Sequence, residues 1–372
     1  MKYFGYYADS ARADKANCTL AAVNKMDYIA DVIANITGSA EIISFSSVAD
    51  TIKTDEYIAL REGVWVKYFN LKPHKNRIIR VLSRFIDKLK FLIWILKNVS
   101  KSETVIVYHS LGYFGLINLA HRLKKFRLVF EVEEIYSDVI GNKRLRKKEV
   151  KILKSAEAYI FPTKLLSNLI NKSGKPEAII HGTYKAEPAR EKIFNDGKIH
   201  IVYAGTLDPR KGGAAAATAA GEFLPEKYHI HILGFGSDEE IRNIKTQIVE
   251  VSKKSRATVT YDGLLSGEEY VKFIQSCDIG LSTQNPDADF NATSFPSKVL
   301  SYMANGLRVV SIKIPAIEAS AIGKYMYYYN KQIPQEIAKA IISVNTNDSY
   351  NGKAVISELD REFCKDIKNL FK

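Results

Sequence analysis

The feature that most constrains this chain is a rhythm. Short apolar runs alternate with longer amphipathic stretches, break at a polar segment, and begin again. In the first half, 2–7, 40–46, 104–108, 127–132, 158–161 and 178–180 read as strands. Between them, 17–37, 76–99 and 113–123 repeat apolar residues every three to four positions, the period of a helix. The segment 187–197 contains Glu187-Pro188-Ala189-Arg190 and Asn195-Asp196-Gly197, which are polar and turn-forming, and it reads as a linker. Beyond it, strands are expected at 198–204, 229–233, 258–261, 279–282 and 308–311, with helices at 213–223, 267–276 and 297–305. Strands that alternate with helices pair in parallel and carry their crossover helices on both faces. With 372 residues, there is length for two such sheets. The expected fold is therefore α/β, with two Rossmann-like domains, 1–187 and 198–355, facing a cleft. A final helix, about 356–372, follows. Ligands of such sheets bind outside the carboxyl ends of the strands, where strand order reverses.

Charge narrows the partners. The net charge is +13, which fits a nucleic acid, an anionic membrane or a phosphorylated substrate. Between Val64 and Ser102 there are ten Lys or Arg and one acid, Asp87, a local excess of +9. A second basic run occupies 143–148. The 76–99 helix places Ile78, Leu82, Phe85, Leu89, Leu92 and Leu96 on an apolar face and Arg77, Arg80, Arg84 and Lys88 on another. That pattern suits an anionic lipid surface, with Phe91 and Trp94 at the interface, and suits equally a core helix with a solvated basic side. No helix-turn-helix, zinc pattern or RNA-stacking aromatic signature accompanies the charge, so nucleic acid is not expected as a partner. The longest notable apolar run, 91–96, is six residues, against the roughly 20 that a membrane span requires. The chain reaches Asp9 before any long apolar stretch forms, unlike a signal peptide. A cytoplasmic protein, peripheral at the inner face of the cell membrane, is the expectation. Cys18, Cys277 and Cys364 lie far apart without a CxxC pair, which argues against a zinc ribbon or a redox motif.

Three motifs carry chemistry. In Tyr203-Ala204-Gly205-Thr206-Leu207-Asp208-Pro209-Arg210-Lys211-Gly212-Gly213 a strand ends at glycine, two cations follow, and glycines open a helix. Backbone N–H groups and cations so arranged cradle a diphosphate, although the spacing is not that of a Walker loop. Leu233-Gly234-Phe235-Gly236 begins like a dinucleotide fingerprint, but Glu239 stands where a third glycine belongs. In Asn291-Ala292-Thr293-Ser294-Phe295-Pro296-Ser297-Lys298, Pro296 is placed to enter a helix and Ser297 to cap it, and Lys298 falls in the first turn. A cation there opposes the helix dipole, a cost that a bound anion relieves.

In this order, the motifs resemble those of the GT-B-fold glycosyltransferases, family 4 in particular. The resemblance rests on Gly205 to Gly212, Leu233 to Gly236, Tyr261-Asp262-Gly263, Cys277-Asp278-Ile279-Gly280 and Phe295 to Gly306, and covers most of 198–315. It implies that the C-terminal domain binds a nucleoside-diphosphate sugar, with no metal or other cofactor. Gly205, Arg210, Lys211, Gly234, Gly236, Ser294, Phe295, Ser297 and Lys298 would surround the diphosphate and sugar. The loop of Asp262, Gly263 and Leu264 would hold the base, and Thr293 and Ser301 would occupy positions where many members carry glutamates. It implies that the final helix crosses back to the first domain. The first domain would face a glycan or lipid-linked acceptor, with Asp9 and Ser10 after the first strand. His109, Glu133 and Glu134 are the catalytic candidates, and position 133 falls where members often have a sugar-contacting histidine. A retaining, metal-independent transfer in bacterial surface polysaccharide synthesis is the expectation. A catalytically inactive partner subunit of another transferase is the alternative, favoured by Thr293 and Ser301.

Overall fold

A computed structural model describes residues 1–8, 20–46, 56–69, 77–209, 213–286 and 294–371, the side chains at 20, 21, 77–80, 84 and 139 apart. The chain divides into two compact units, Met1–Thr183 with Glu362–Lys372, and Tyr184–Arg361.

In the first unit the strands are β1 (Lys2–Gly5), β2 (Ala40–Ser44), β3 (Ile58–Arg61), β4 (Val64–Tyr68), β5 (Thr104–Tyr108), β6 (Arg127–Glu131), β7 (Ala158–Phe161) and β8 (Glu177–Ile179). Helices α1 (Leu20–Thr37), α2 (Arg77–Asn98), α3 (Phe114–Lys124), α4 (Tyr136–Val139), α5 (Lys143–Leu153) and α6 (Lys164–Ile170) accompany them. The sheet order is β3-β4-β2-β1-β5-β6-β7-β8, parallel except that β3 runs antiparallel to β4. The central strands are apolar almost throughout because both of their faces are covered. The β3–β4 hairpin escaped the sequence reading. It is an edge element in which Trp65 is exposed, and its turn is signalled only by Gly63, at φ +70°. The basic run 143–148 forms the start of α5, capped by the Asn142 side chain, which accepts from the Leu145 N–H at 3.0 Å.

The core of this unit corrects the expected face of α2. Phe91, Ile95 and Val99 are buried, and Phe91 meets Phe45 edge-on at 4.6 Å between ring centroids. Trp94 packs against the same cluster. Leu82, Phe85, Ile86, Leu89 and Ile93 are exposed on the opposite side. The helix is apolar on two sides, and periodicity alone does not say which side meets the sheet. Phe91 and Trp94 are thus core residues, not interface residues. Burial of a side chain such as Phe91 stabilises the unit by roughly 1.5–3 kcal/mol.

The second unit contains β9 (Ile199–Thr206), β10 (Tyr228–Phe235), β11 (Thr258–Gly263), β12 (Ile279–Ser282), β13 (Arg308–Ile312) and β14 (Met326–Tyr329). Its helices are α7 (Ala214–Ala220), α8 (Asp238–Ser252), α9 (Gly267–Gln275), α10 (Ser297–Ala304), α11 (Pro315–Glu318), α12 (Pro334–Ile342) and α13 (Gly352–Leu370). All six strands are parallel, in the order β11-β10-β9-β12-β13-β14. This is the doubly wound order in which strand progression reverses between β9 and β12. Helix α8 begins with a capping box formed by Ser237 and Glu240.

The polar segment read as a linker belongs to this second unit. The Glu187 N–H donates to the Ala304 carbonyl at 2.9 Å, the Arg190 N–H to Gln275 Oε1 at 2.9 Å, and the Ile193 N–H to Ser276 Oγ at 3.0 Å. Helix α13 starts in the second unit, and its residues from Glu362 onward belong to the first. There Arg127 donates to the Leu370 carbonyl at 2.9 Å, and the Phe363 ring stacks on Tyr28.

Candidate functional site

At the reversal point of the second sheet, glycines bring backbones into close approach. A Cβ on Gly234 would run into the carbonyl oxygen of Gly205 on the neighbouring strand. One on Gly213 would run into the Thr283 carbonyl just past β12. Only glycine fits at either place. The Tyr203 hydroxyl donates to the Thr206 carbonyl at 2.8 Å and accepts from the Gly213 N–H at 3.2 Å, which fixes the strand end. Tyr302 does the same from α10, accepting from the Ala204 N–H at 2.8 Å and donating to the Leu281 carbonyl at 3.3 Å.

Lys298 stands in the midst of this frame. Its Nζ lies 4.3 Å above the Tyr203 ring centroid and would be 3.2 Å from a Cβ at Gly205. Enclosure from water lowers its pKa to about 8. No carboxylate pairs with it among the described residues. The first turn of α10 has no side-chain cap, because the helix enters at Pro296 with Ser297 as its first residue. Ser297 is exposed and does not act as the cap that the sequence suggested. The leading N–H groups of the helix, the Lys298 ammonium and a ring of glycines together make a corner whose chemistry suits an anion. Just past β12, Gln284 has a buried amide nitrogen without a partner among the described residues, and its Oε1 accepts from Ser282 Oγ at 2.7 Å.

The other positions singled out from sequence distribute as follows. Gly205 and Gly234 are the penultimate residues of β9 and β10, Gly236 directly follows β10, and Ser294 and Phe295 lead into α10. Ser301 lies one turn into α10, its Oγ 3.5 Å from the Tyr270 hydroxyl. Gly263 ends β11 at φ +81° and Leu264 is exposed. Asp262 turns its carboxylate to His231 Nδ1, at 3.1 Å, and to Thr260 Oγ1, at 2.8 Å. Asp9, Ser10, Arg210, Lys211 and Thr293 lie outside the described residues. Tyr203, Thr283, Gln284 and Tyr302 were not anticipated. Their signal was at most a tyrosine in a strand end, because strand periodicity does not distinguish a hydroxyl that braces backbone from a core ring.

In the first unit the carboxyl end of β6 is acidic. Glu131 is fully buried and accepts the Tyr3 hydroxyl. Burial and the neighbouring Glu133 push its pKa up to about 8, against the pull of Lys25 and Tyr3. Glu133 pairs with Lys25 Nζ at 2.5 Å, and Lys25 also donates to the Ile180 carbonyl at 3.1 Å. Glu134 is half-buried, and burial followed by Glu133 and Glu149 raises its pKa. His109 departs from the expectation of a group facing substrate. It is 1% exposed, and its Nε2 lies 2.7 Å from Glu149 Oε1. Glu149 also accepts the N–H groups of Tyr136 and Ser137, each at 3.0 Å. His109 therefore helps to position the 136–137 turn from behind. Lys25, which the sequence reading missed, is the group that neutralises this cluster.

The comparisons with known proteins agree with this architecture. Residues 198–347 match the family described as glycosyl transferases group 1. No curated protein matches the chain in sequence. Among solved structures, HepE of Anabaena in complex with UDP and glucose is similar at a TM-score of 0.65 and 15% identity, over 99% of this chain and 98% of that one. E. coli trehalose-6-phosphate bound with UDP-2-fluoro glucose is similar at a TM-score of 0.65 and 12% identity, over 100% and 99% of the chains. Sucrose-phosphate synthase from Thermosynechococcus elongatus is similar at 0.64 and 13%, over 100% and 94%. These likenesses establish the GT-B fold.

Proposed function

We propose, from a GT-B chain whose residues 198–347 match the glycosyl transferases group 1 family, that this protein transfers a sugar from a uridine-diphosphate sugar to a glycan or lipid-linked acceptor. The setting is the synthesis of a bacterial surface polysaccharide. The observation that carries the reading is Lys298. It is an enclosed ammonium with no carboxylate partner among the described residues, set at the reversal point of a doubly wound sheet beside an uncapped helix. UDP is the nucleotide chosen because the similar structures of HepE and of the E. coli protein were solved with UDP-containing ligands.

In this reaction the bond between the anomeric carbon and the diphosphate breaks, a bond to the acceptor oxygen forms, and the acceptor hydroxyl gives its proton to the departing diphosphate. Negative charge gathers on the leaving diphosphate. Lys298 and the α10 N–H groups stabilise it where it develops, so the reading requires no metal; that the transfer is retaining is taken from the resemblance to family 4 alone. Lys211 and Arg210 are assigned to the same charge by their place in the motif. On the acceptor side, Glu134 is the better candidate for contact with a sugar hydroxyl, because Glu133 is already paired with Lys25.

The exposed strip Leu82, Phe85, Ile86, Leu89 and Ile93, flanked by Lys90 and Lys97, supports attachment to an anionic membrane surface. No helix among the described residues is long and apolar enough to cross a membrane.

A thermal-shift series with UDP, GDP, CMP, TDP, ADP and their sugar conjugates tests the donor site. A rise in midpoint with UDP and UDP-sugars is expected, since a ligand that binds only the folded state stabilises it. A flat response to every member sinks the reading. Ser301, where family members often carry a glutamate, favours the second reading of a non-catalytic partner. Binding without release of UDP from any UDP-sugar would select it.

A further inference from the structure

Three histidines share one face of the second sheet near the amino ends of its strands. His200 on β9 and His229 on β10 are register partners, and His231 follows two residues later on β10. Alternation puts all three on the same side. One ring nitrogen from each lies within 4.8 Å of the other two. His200 and His231 are buried and His229 is half-buried.

The outward nitrogens are held by carboxylates. His200 Nε2 lies 2.9 Å from Asp196 Oδ1, and His231 Nδ1 lies 3.1 Å from Asp262 Oδ2. An ionised carboxylate only accepts hydrogen bonds, so the nitrogens that face Asp196 and Asp262 carry the protons. The inner nitrogens, His200 Nδ1 and His231 Nε2, are then two lone pairs aimed at each other at 2.9 Å. Lone pairs do not bond to one another, and a positive species belongs between them. His229 is the third donor. Its Nε2 lies 3.0 Å from Thr260 Oγ1, which itself donates to Asp262 Oδ2, so Nε2 carries the proton and Nδ1 the lone pair.

We propose that His200, His229 and His231 bind a divalent transition-metal ion of the zinc type, with Asp196 and Asp262 fixing the orientation of two of the rings. Neutral imidazoles whose second N–H is held by a carboxylate are the usual way a protein presents histidine to zinc. Nitrogens on a tetrahedral zinc at about 2.05 Å stand roughly 3.3 Å apart, so His200 and His231 open by a few tenths of an ångström. His229, now stacked on His231 at 3.9 Å between ring centroids, turns its ring to join them. Phe194 covers His200 and His231 at 4.1 and 4.9 Å, and Phe273 meets His231 edge-on at 5.1 Å. The ion is thus shielded and ties the 194–200 segment to the sheet. It is distinct from the anion-binding corner, since Gly205 lies five residues along β9 from His200, roughly 17 Å at the strand rise.

The test uses the untagged full chain, stripped of metal and titrated with Zn2+ against a chromophoric chelator, and separately with Co2+ as a spectroscopic probe. One equivalent per chain is expected. It should bring a raised thermal midpoint and the visible absorption of four-coordinate cobalt without thiolate charge-transfer bands, which separates the site from Cys277 and Cys364. His229→Gln, at the half-buried position, should weaken Zn2+ binding more than about 100-fold, and Asp196→Asn by about 10–100-fold. Absence of stoichiometric uptake by the wild-type chain, or wild-type affinity in His229→Gln, overturns the proposal and leaves a proton shared by His200 and His231. UDP-induced stabilisation is measured beside it and is expected with or without the ion, so the donor site and the metal site stand or fall separately.

Discussion

Two lysines, Lys25 buried and Lys298 half-buried, show how one architecture serves two ends. In the first unit, Lys25 reaches into the carboxyl-end cluster and is matched by Glu133 at 2.5 Å and the Ile180 carbonyl at 3.1 Å. In the second, Lys298 reaches the equivalent end of its sheet and meets the face of Tyr203, with no carboxylate partner among the described residues. The first lysine completes the fold. The second has no such partner among the described residues, and in the proposed function a bound diphosphate meets its charge. A parallel sheet supplies the place in both units, and the side chains opposite decide whether that place is filled or kept for a ligand.

The largest effect that could break this comparison is Lys25→Met. It strands Glu133 beside Glu131, and unfolding in urea should show a loss of about 3 kcal/mol, the low end for a broken buried pair because Glu133 keeps some exposure. A change close to zero would mean that the cluster does not depend on its cation. Lys298→Met should do the reverse. UDP affinity by calorimetry falls about 10–100-fold, as for loss of a charged hydrogen-bond donor, while the ligand-free midpoint holds or rises. A drop in midpoint with unchanged affinity would make Lys298 structural.

The pH dependences sharpen the contrast. Lys298 ionises at about 8 in the folded chain, so UDP affinity should fall as pH rises through 8. Ligand-free stability gains from this group between about 8 and its ordinary 10.5, where only the unfolded chain keeps the proton. Glu131 acts in the opposite sense. Its folded pKa is raised from 4.5 to about 8, so its contribution is full below 4.5 and is lost as pH rises through about 8. Glu131→Gln should remove that slope from a titration of stability, and an unaltered slope would place its origin elsewhere. The smallest effect on folding belongs to the exposed side of α2. Phe85→Ser, at 66% exposure, should alter stability by no more than about 0.5 kcal/mol, yet weaken cosedimentation with anionic vesicles. Equal sedimentation would remove the membrane reading and leave the two lysines as they stand.

Much of the fold was legible. The strands at 104–108, 158–161 and 279–282 were read to the residue, because a strand covered on both faces is a short apolar block between turns. The β3–β4 hairpin, α6, α8, α12 and β14 were passed over. They are short, lie at edges, or are amphipathic with few apolar positions, and their caps and turns occupy one or two residues. Of the site, the glycines and Lys298 were visible as motif. The bracing hydroxyls of Tyr203 and Tyr302, and Lys25 as the partner of Glu133, were not, for each depends on a residue remote in sequence.

The sequence by itself determined the class of fold, the alternation that makes its sheets parallel, and the glycine and cation types at the strand ends, since these follow from local period and backbone permissiveness. Only the tertiary structure decided which stripe of α2 is buried, that His109 is buried against Glu149, and that His200, His229 and His231 meet. Register and packing bring together residues tens of positions apart, and no local pattern encodes which of them will touch.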